Sequence, residues 1–111
     1  MTATIGREEL KAKIDSWGDV VLVETLDPEY YEDAHLPGAV NLPLDRIGEL
    51  APEILPDKDA DIVVYCLSSL WPASEEAARE LAVMGYTNVR DYAEGKRGWM
   101  GAGLPTEGTK W

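Results

Sequence analysis

Asp61-Ile62-Val63-Val64-Tyr65-Cys66 runs into Leu67-Ser68-Ser69-Leu70-Trp71-Pro72-Ala73, and a helix follows from near Ser74. This stretch decides the fold. The first part reads as a buried strand, the second as a loop. Cys66, the only cysteine of the chain, therefore sits at the C-terminal end of a strand and faces a helix N-terminus. Backbone N–H groups of such a loop and the helix dipole both favour negative charge, so a thiolate forms there more readily than elsewhere.

Outward from this stretch, strands and helices alternate. Ala77, Ala78, Leu81, Ala82 and Met84 form the apolar stripe of the helix after the loop, and Gly85 ends it. Upstream, Gly6 to Trp17 reads as a helix with Leu10 and Ile14 on one face, and Trp17 is expected in the core. Val20 to Glu24 is a short apolar strand, and Asp27 to Ala34 a short helix with Pro28 early. Leu36-Pro37-Gly38 is a turn, Ala39 to Leu42 a strand, and Pro43 to Ile47 opens another helix. Asn88 to Tyr92 is the last strand, Glu94 to Met100 a short helix, and the tail begins at Gly103-Leu104-Pro105. The alternation predicts an α/β fold: a parallel sheet with helices on both faces.

The chain of 111 residues suffices for one compact domain, expected over 1–111 with its core at about 4–104 and a short C-terminal tail. No apolar run is long enough to cross a membrane, and no secretory signal is expected at the N-terminus. One cysteine forms no internal disulfide, so the expectation is a cytoplasmic protein. The balance of 21 acidic against 10 basic residues, a formal charge of -11, argues against a nucleic-acid partner. It also means that an anionic substrate must be held by local donors against long-range repulsion. One Cys with one His makes no metal pattern, and no cofactor is expected.

Three stretches together resemble the single-domain rhodaneses. Glu29-Tyr30-Tyr31-Glu32-Asp33-Ala34-His35-Leu36-Pro37-Gly38-Ala39-Val40-Asn41-Leu42-Pro43-Leu44 resembles that family's EY…GHIPGAINIPL stretch. Val63-Val64-Tyr65-Cys66 resembles its VVYC strand, and Gly85 to Val89 with Tyr92 to Trp99 its GYTNV…W ending. The resemblance spans nearly the whole chain. It implies a rhodanese-like fold with a central, mostly parallel five-stranded sheet. It also implies a sulfurtransferase that carries sulfane sulfur as a persulfide on Cys66.

Two departures set the expected chemistry. The usual loop reads Cys-Arg-x-Gly-x-Arg/Ser; here Ser74 lies eight positions after Cys66, two residues longer, with neither Arg nor Gly between. It resembles a subgroup of the type Cys-x-x-x-x-Cys-x-Ala-Ser, with Trp71 in place of the second cysteine. The family's Asp-x-Arg appears as Glu24-Thr25-Leu26, another lost positive charge.

The substrate-binding residues are expected to be Leu67, Ser68, Ser69, Leu70 and Trp71 of the loop, together with Lys96. Inward N–H groups should form an anion-binding nest, with a gap at Pro72, and Ser68 and Ser69 should add hydroxyl donors. Trp71 either shapes the rim and stacks on substrate or covers core. Lys96 and Arg97, if the segment after the last strand lies beside the loop as the resemblance implies, either reach an incoming anion or are solvated. His35 looks structural, holding the turn before Pro37-Gly38, and Trp99 packs the final helix on the core.

Without a loop arginine, persulfide donors such as glutathione persulfide are expected to outperform thiosulfate. A thiol, cyanide or a protein would be the acceptor, and no membrane is involved. Two readings compete. A phosphatase needs an Arg where Ala73 and Ser74 stand, and an arsenate reductase needs a second cysteine. A non-catalytic binding module fits the missing Arg and Gly.

Overall fold

The computed structural model describes residues 3–16 and 19–108. The chain runs α1 (Arg7–Asp15), β1 (Val21–Glu24), α2 (Pro28–Asp33), β2 (Val40–Asn41), a 3₁₀ turn (Leu44–Arg46), α3 (Ile47–Ile54), β3 (Ile62–Tyr65), α4 (Ala73–Val83), β4 (Val89–Asp91) and α5 (Gly95–Gly101). The strands form one sheet in the order β2-β1-β3-β4, and every pair is parallel. Val23 lies opposite Val64 and Val64 opposite Asp91, so β3 is central and covered on both sides.

The period of a strand divides the core into two layers. Val23, Ile62 and Val64 face Ile47, Ala51, Ala77, Ala78 and Leu81 of α3 and α4. Leu22, Val63 and Tyr65 face Leu10 of α1 and Trp99 of α5. Trp99 is buried, donates from Nε1 to the Pro105 carbonyl at 2.7 Å, and meets Tyr92 edge-on. Gly85, at φ +100, ends α4, and Tyr86 N–H closes the turn on the Leu81 carbonyl.

Among the described residues the sheet has four strands, not the expected five. The segment before α1 reaches the outer edge of β4 in a single parallel bridge, Thr4 with Asp91. The chain turns into α1 by Arg7, leaving no length for a second rung. The stripe of α4 also differs. Ala82 is exposed and Met84 half-buried, whereas Ser74 is buried with Ala77, Ala78 and Leu81 at helical spacing. The expected core position of Trp17 falls outside the described residues.

His35 holds its turn. Its main chain exchanges two hydrogen bonds with Glu107, its Nδ1 lies 2.8 Å from the Tyr31 carbonyl, and its ring stacks on Tyr31 at 3.9 Å. Among the described residues no helix is long and apolar enough to cross a membrane.

Gly95 marks a close backbone approach at the base of the Cys66 loop. It has φ +69, and a Cβ there would lie 2.7 Å from the Cys66 carbonyl oxygen and 2.8 Å from Ser68 N. Both neighbours are backbone, so neither can yield cheaply. Gly95→Ala should cost about 2 kcal/mol or more from the left-handed backbone plus the clash. The urea midpoint would fall accordingly.

Candidate active site

The site begins where β3 ends. Cys66 follows Tyr65 directly, and its carbonyl accepts a 2.9 Å bond from Lys96 N–H, while the Leu67 carbonyl accepts one of 2.8 Å from Arg97 N–H. The first turn of any helix has N–H groups without intrahelical partners. Here the loop supplies them to α5, so the base of the loop and the start of α5 fix each other. Thr25, just past β1, adds its N–H and Oγ1 to the Tyr65 carbonyl at 3.0 and 3.1 Å.

Cys66 is 1% exposed. Its Sγ lies 3.2 Å from the Trp71 carbonyl and 3.6 Å from the Ser68 carbonyl, both acceptors for S–H. The Ser74 hydroxyl, from the first turn of α4, lies 3.5 Å away. Among the described residues no backbone N–H bonds to Sγ, which corrects the expected nest. The reason is local. Trp71 N–H closes a turn on the Ser68 carbonyl, Leu70 N–H bonds to Ser68 Oγ, and Pro72 has no N–H. The turn uses the Leu70 and Trp71 N–H groups itself, and the Ser68 and Trp71 carbonyls face the sulfur. Carbonyl oxygens at these distances accept from S–H and offer no donor to a thiolate.

The loop residues take different places. Leu67 is half-buried and serves through its carbonyl, and Ser68 is turned back on its own turn. Ser69 and Leu70 are exposed, Leu70 at 87%. Trp71 is 47% exposed and lines a cleft of about 440 Å³ with Leu26, Asp27, Tyr30 and Asp45. That supports the rim alternative for Trp71. The cleft wall carries two carboxylates and two aromatic rings.

Lys96 is not solvated, and its ammonium is turned inward to Glu24 and not to an incoming substrate, which corrects its expected role as a substrate-binding cation. It is 5% exposed; Nζ lies 3.1 Å from Glu24 and donates to the Tyr30 carbonyl at 2.8 Å. Glu24 Oε1 also accepts from Tyr65 OH at 2.9 Å, and that hydroxyl accepts from Leu36 N–H. Burial lifts the Glu24 carboxyl above the ordinary glutamate value, against the pull of Lys96 and Tyr65. Burial and the Glu24 charge keep the Tyr65 phenol protonated. An ammonium this far from water keeps its charge only beside a partner. Glu24, read in the sequence only as part of a lost Asp-x-Arg, is that partner. Arg97 stays exposed.

One acidic group was not singled out at all. Asp91, at the end of β4, is 6% exposed and lies beside Ser74. A carboxylate in a strand of a covered parallel sheet is itself an anomaly, and that was the available signal.

The profile of the family described as rhodanese-like domain matches residues 6–102. The protein YrkF of Bacillus subtilis is 33% identical over 97 residues, covering 87% of this chain and 50% of YrkF. A sulfurtransferase of Allochromatium vinosum is 32% identical over 105 residues, covering 95% of this chain and 94% of its own length. The solution structure of the rhodanese-like domain of Alr3790 from Anabaena superposes with a TM-score of 0.86 at 27% identity, covering 99% of this chain and 82% of that one. The chain thus spans about half the length of YrkF and nearly all of the Allochromatium protein.

Lys96→Met would strand a buried carboxylate on Glu24, at about 3–5 kcal/mol of stability in urea denaturation. Glu24→Gln added to Lys96→Met keeps an acceptor for Tyr65 OH and should recover most of that loss.

Proposed function

The chain belongs to the rhodanese-like domain family, and on that premise we propose that it is a sulfurtransferase whose Cys66 carries sulfane sulfur as a persulfide. The observation that carries this reading is the placement of the lone thiol. Sγ sits at the C-terminal end of the central strand, enclosed by a loop, with the Ser74 hydroxyl against it.

In the reaction the thiolate attacks the outer sulfur of a donor, forms the Cys66 persulfide and releases the donor's remainder. A second thiol then removes the sulfur. The closed loop must open first, because a sulfur that is 1% exposed cannot be attacked or attack. Rotating the peptide planes between Ser68 and Trp71 would uncover Sγ and remove the two carbonyls that oppose its charge.

The donor follows from the mouth. No guanidinium stands in the loop, the Lys96 ammonium is committed to Glu24, and Asp27 and Asp45 line the adjacent cleft. A small doubly charged anion such as thiosulfate finds repulsion there, whereas a persulfide on glutathione or a protein brings its sulfur without that charge density. Trp71 and Tyr30 offer apolar faces to the thiol partner. A lone thiol carrier suits the reducing cytoplasm.

Burial of Sγ favours one second reading, a non-catalytic module of the same fold that docks a partner. Phosphoryl and arsenate chemistry find no support, since Ala73 and Ser74 stand where a phosphate clamp needs arginine, and there is no resolving cysteine.

Intact-mass spectrometry after glutathione persulfide treatment should show a gain of one sulfur atom, absent from Cys66→Ser. Initial rates should be higher with glutathione persulfide than with thiosulfate. No mass gain from either donor would leave the docking module standing, and faster turnover of thiosulfate would overturn the donor assignment.

A further inference from the structure

Asp91 is buried, and its Oδ1 has no hydrogen-bond partner among the described residues. Its main chain is fully used, donating to the Ala3 carbonyl at 2.8 Å and accepting from Ile5 N–H at 3.1 Å. The side chain lines a cavity of about 300 Å³ beside the Cys66 loop, with Ser69, Trp71, Pro72, Ser74 and Glu75. A carboxyl taken out of water without a partner is costly. Glu24, the other buried carboxyl of the sheet, is paired with the Lys96 ammonium and the Tyr65 phenol, so the fold satisfies such a group where it serves structure.

Ser74 connects Asp91 to the sulfur. In the resting arrangement its hydroxyl donates to Cys66 Sγ at 3.5 Å, and Ser74 and Asp91 line the same cavity, so that the hydroxyl, turned from sulfur, donates to the Asp91 carboxyl and is free to accept the S–H. A hydroxyl donates one proton while accepting another. Sulfur, hydroxyl and carboxyl therefore stand in series.

We propose that Asp91 is the proton acceptor for Cys66, acting through the Ser74 hydroxyl, so that this loop generates its thiolate by a proton relay in place of an arginine. The proposal rests on the sulfur-transfer reading.

The surroundings suit the role. Burial raises the Asp91 carboxyl above the usual aspartate value, the Ser74 hydroxyl pulls it back, and Glu75 adds to the rise. A carboxylate that holds its proton more firmly is a better base near neutral pH. Glu75 of α4 is the charged group facing it. On the cavity side it meets residues of the Cys66 loop, and on the outer edge the uncharged residues Ala3, Thr4 and Ile5. Its chain neighbour Arg90 directs its guanidinium to Glu9 and Asp61, and Arg7 pairs with Glu94. Among the described residues no cation forms an ion pair with Asp91.

The step balances without an oxidant. As the Cys66 sulfur bonds to the outer sulfur of a hydropersulfide donor, its S–H proton passes to Ser74 Oγ, and the Ser74 proton passes to Asp91. The donor's S–S bond breaks, its inner sulfur leaves as a thiolate, and that thiolate takes up the proton held by Asp91. Cys66 ends as a hydropersulfide and the donor as a thiol.

The test uses the full chain in two arms, each at acidic, neutral and alkaline pH. One follows reaction of Cys66 with a neutral aryl disulfide by absorbance, which reads thiol deprotonation without sulfur transfer. The other follows sulfur uptake from glutathione persulfide by intact mass. Asp91→Asn should slow the disulfide reaction about a hundredfold at neutral pH. The gap should close at alkaline pH, where solvent hydroxide ionises the thiol directly. Ser74→Ala should behave alike, Ser74→Thr should retain the rate, and Asp91→Asn with Ser74→Ala should be no slower than either alone, as one relay requires. An Asp91→Asn variant with the parent rate at every pH, or slowed equally at every pH, overturns the proposal. Urea midpoints establish folding, and if Asp91→Asn does not fold, the contrast of Ser74→Ala with Ser74→Thr across pH decides. A parent protein that reacts with the disulfide but takes no sulfur overturns the sulfur-transfer reading instead, and the relay is still scored by the first arm.

Discussion

Two hydrogen bonds carry the site: Lys96 N–H to the Cys66 carbonyl and Arg97 N–H to the Leu67 carbonyl. Each satisfies a group that would otherwise be orphaned, a helix-terminal N–H on one side and a carbonyl leaving the sheet on the other. They are possible because Gly95 brings backbone against backbone with no Cβ between. The Lys96 side chain then continues into the interior to Glu24, which holds Tyr65, which holds Leu36. One residue thus joins the sulfur-bearing loop, the central strand and the His35 turn. Beyond Leu67 the loop is held by its own turn and by the contacts of the Ser68 and Trp71 carbonyls with Sγ, weaker ties than the backbone bonds at its base.

That division bears on the chemistry. A thiolate needs donors around it, and a resting thiol needs acceptors; one rigid loop cannot present both. In the closed arrangement the Ser68 and Trp71 carbonyls accept from S–H, and the Leu70 and Trp71 amides are used within the turn. An arginine in the loop would supply a fixed positive charge in either state. Without one, the charge on sulfur must be supported by rotating peptide groups, by the α4 dipole, and by moving the proton away. Glu75 and Glu76 compete for the same dipole, which places more of the burden on the proton's destination.

The sequence made the scaffold legible where residue type and backbone demand coincide. The apolar run ending in Cys66, the Gly85 stop and the Leu36-Pro37-Gly38 turn each have one economical conformation, and each was read correctly. The fifth strand was not, because a single bridge at Thr4 depends on where α1 begins. Peptide-plane orientation in the loop is set by which acceptor each N–H finds, and no residue type announces that; an inward ring of amides and an inward pair of carbonyls suit the same seven residues. Lys96 was misplaced for a related reason. Lysine is rarely buried, so its type argued for solvent or substrate, whereas its partner lies seventy-two positions away on another strand.

The two buried carboxylates of the sheet show how far such reasoning extends once coordinates are present. Glu24 and Asp91 sit on strands flanking β3, near the same strand ends, and both are lifted by burial. Glu24 meets an ammonium and a phenol, so exchanging its proton would break a network that supports the core. Asp91 faces a cavity with Ser74 beside it, so it can take up and release a proton without breaking an ion pair. Where a fold contains one saturated and one unsaturated group of the same chemistry, stability accounts for the first and leaves the second unexplained. The hydroxyl between Asp91 and the only thiol in the chain supplies the missing account.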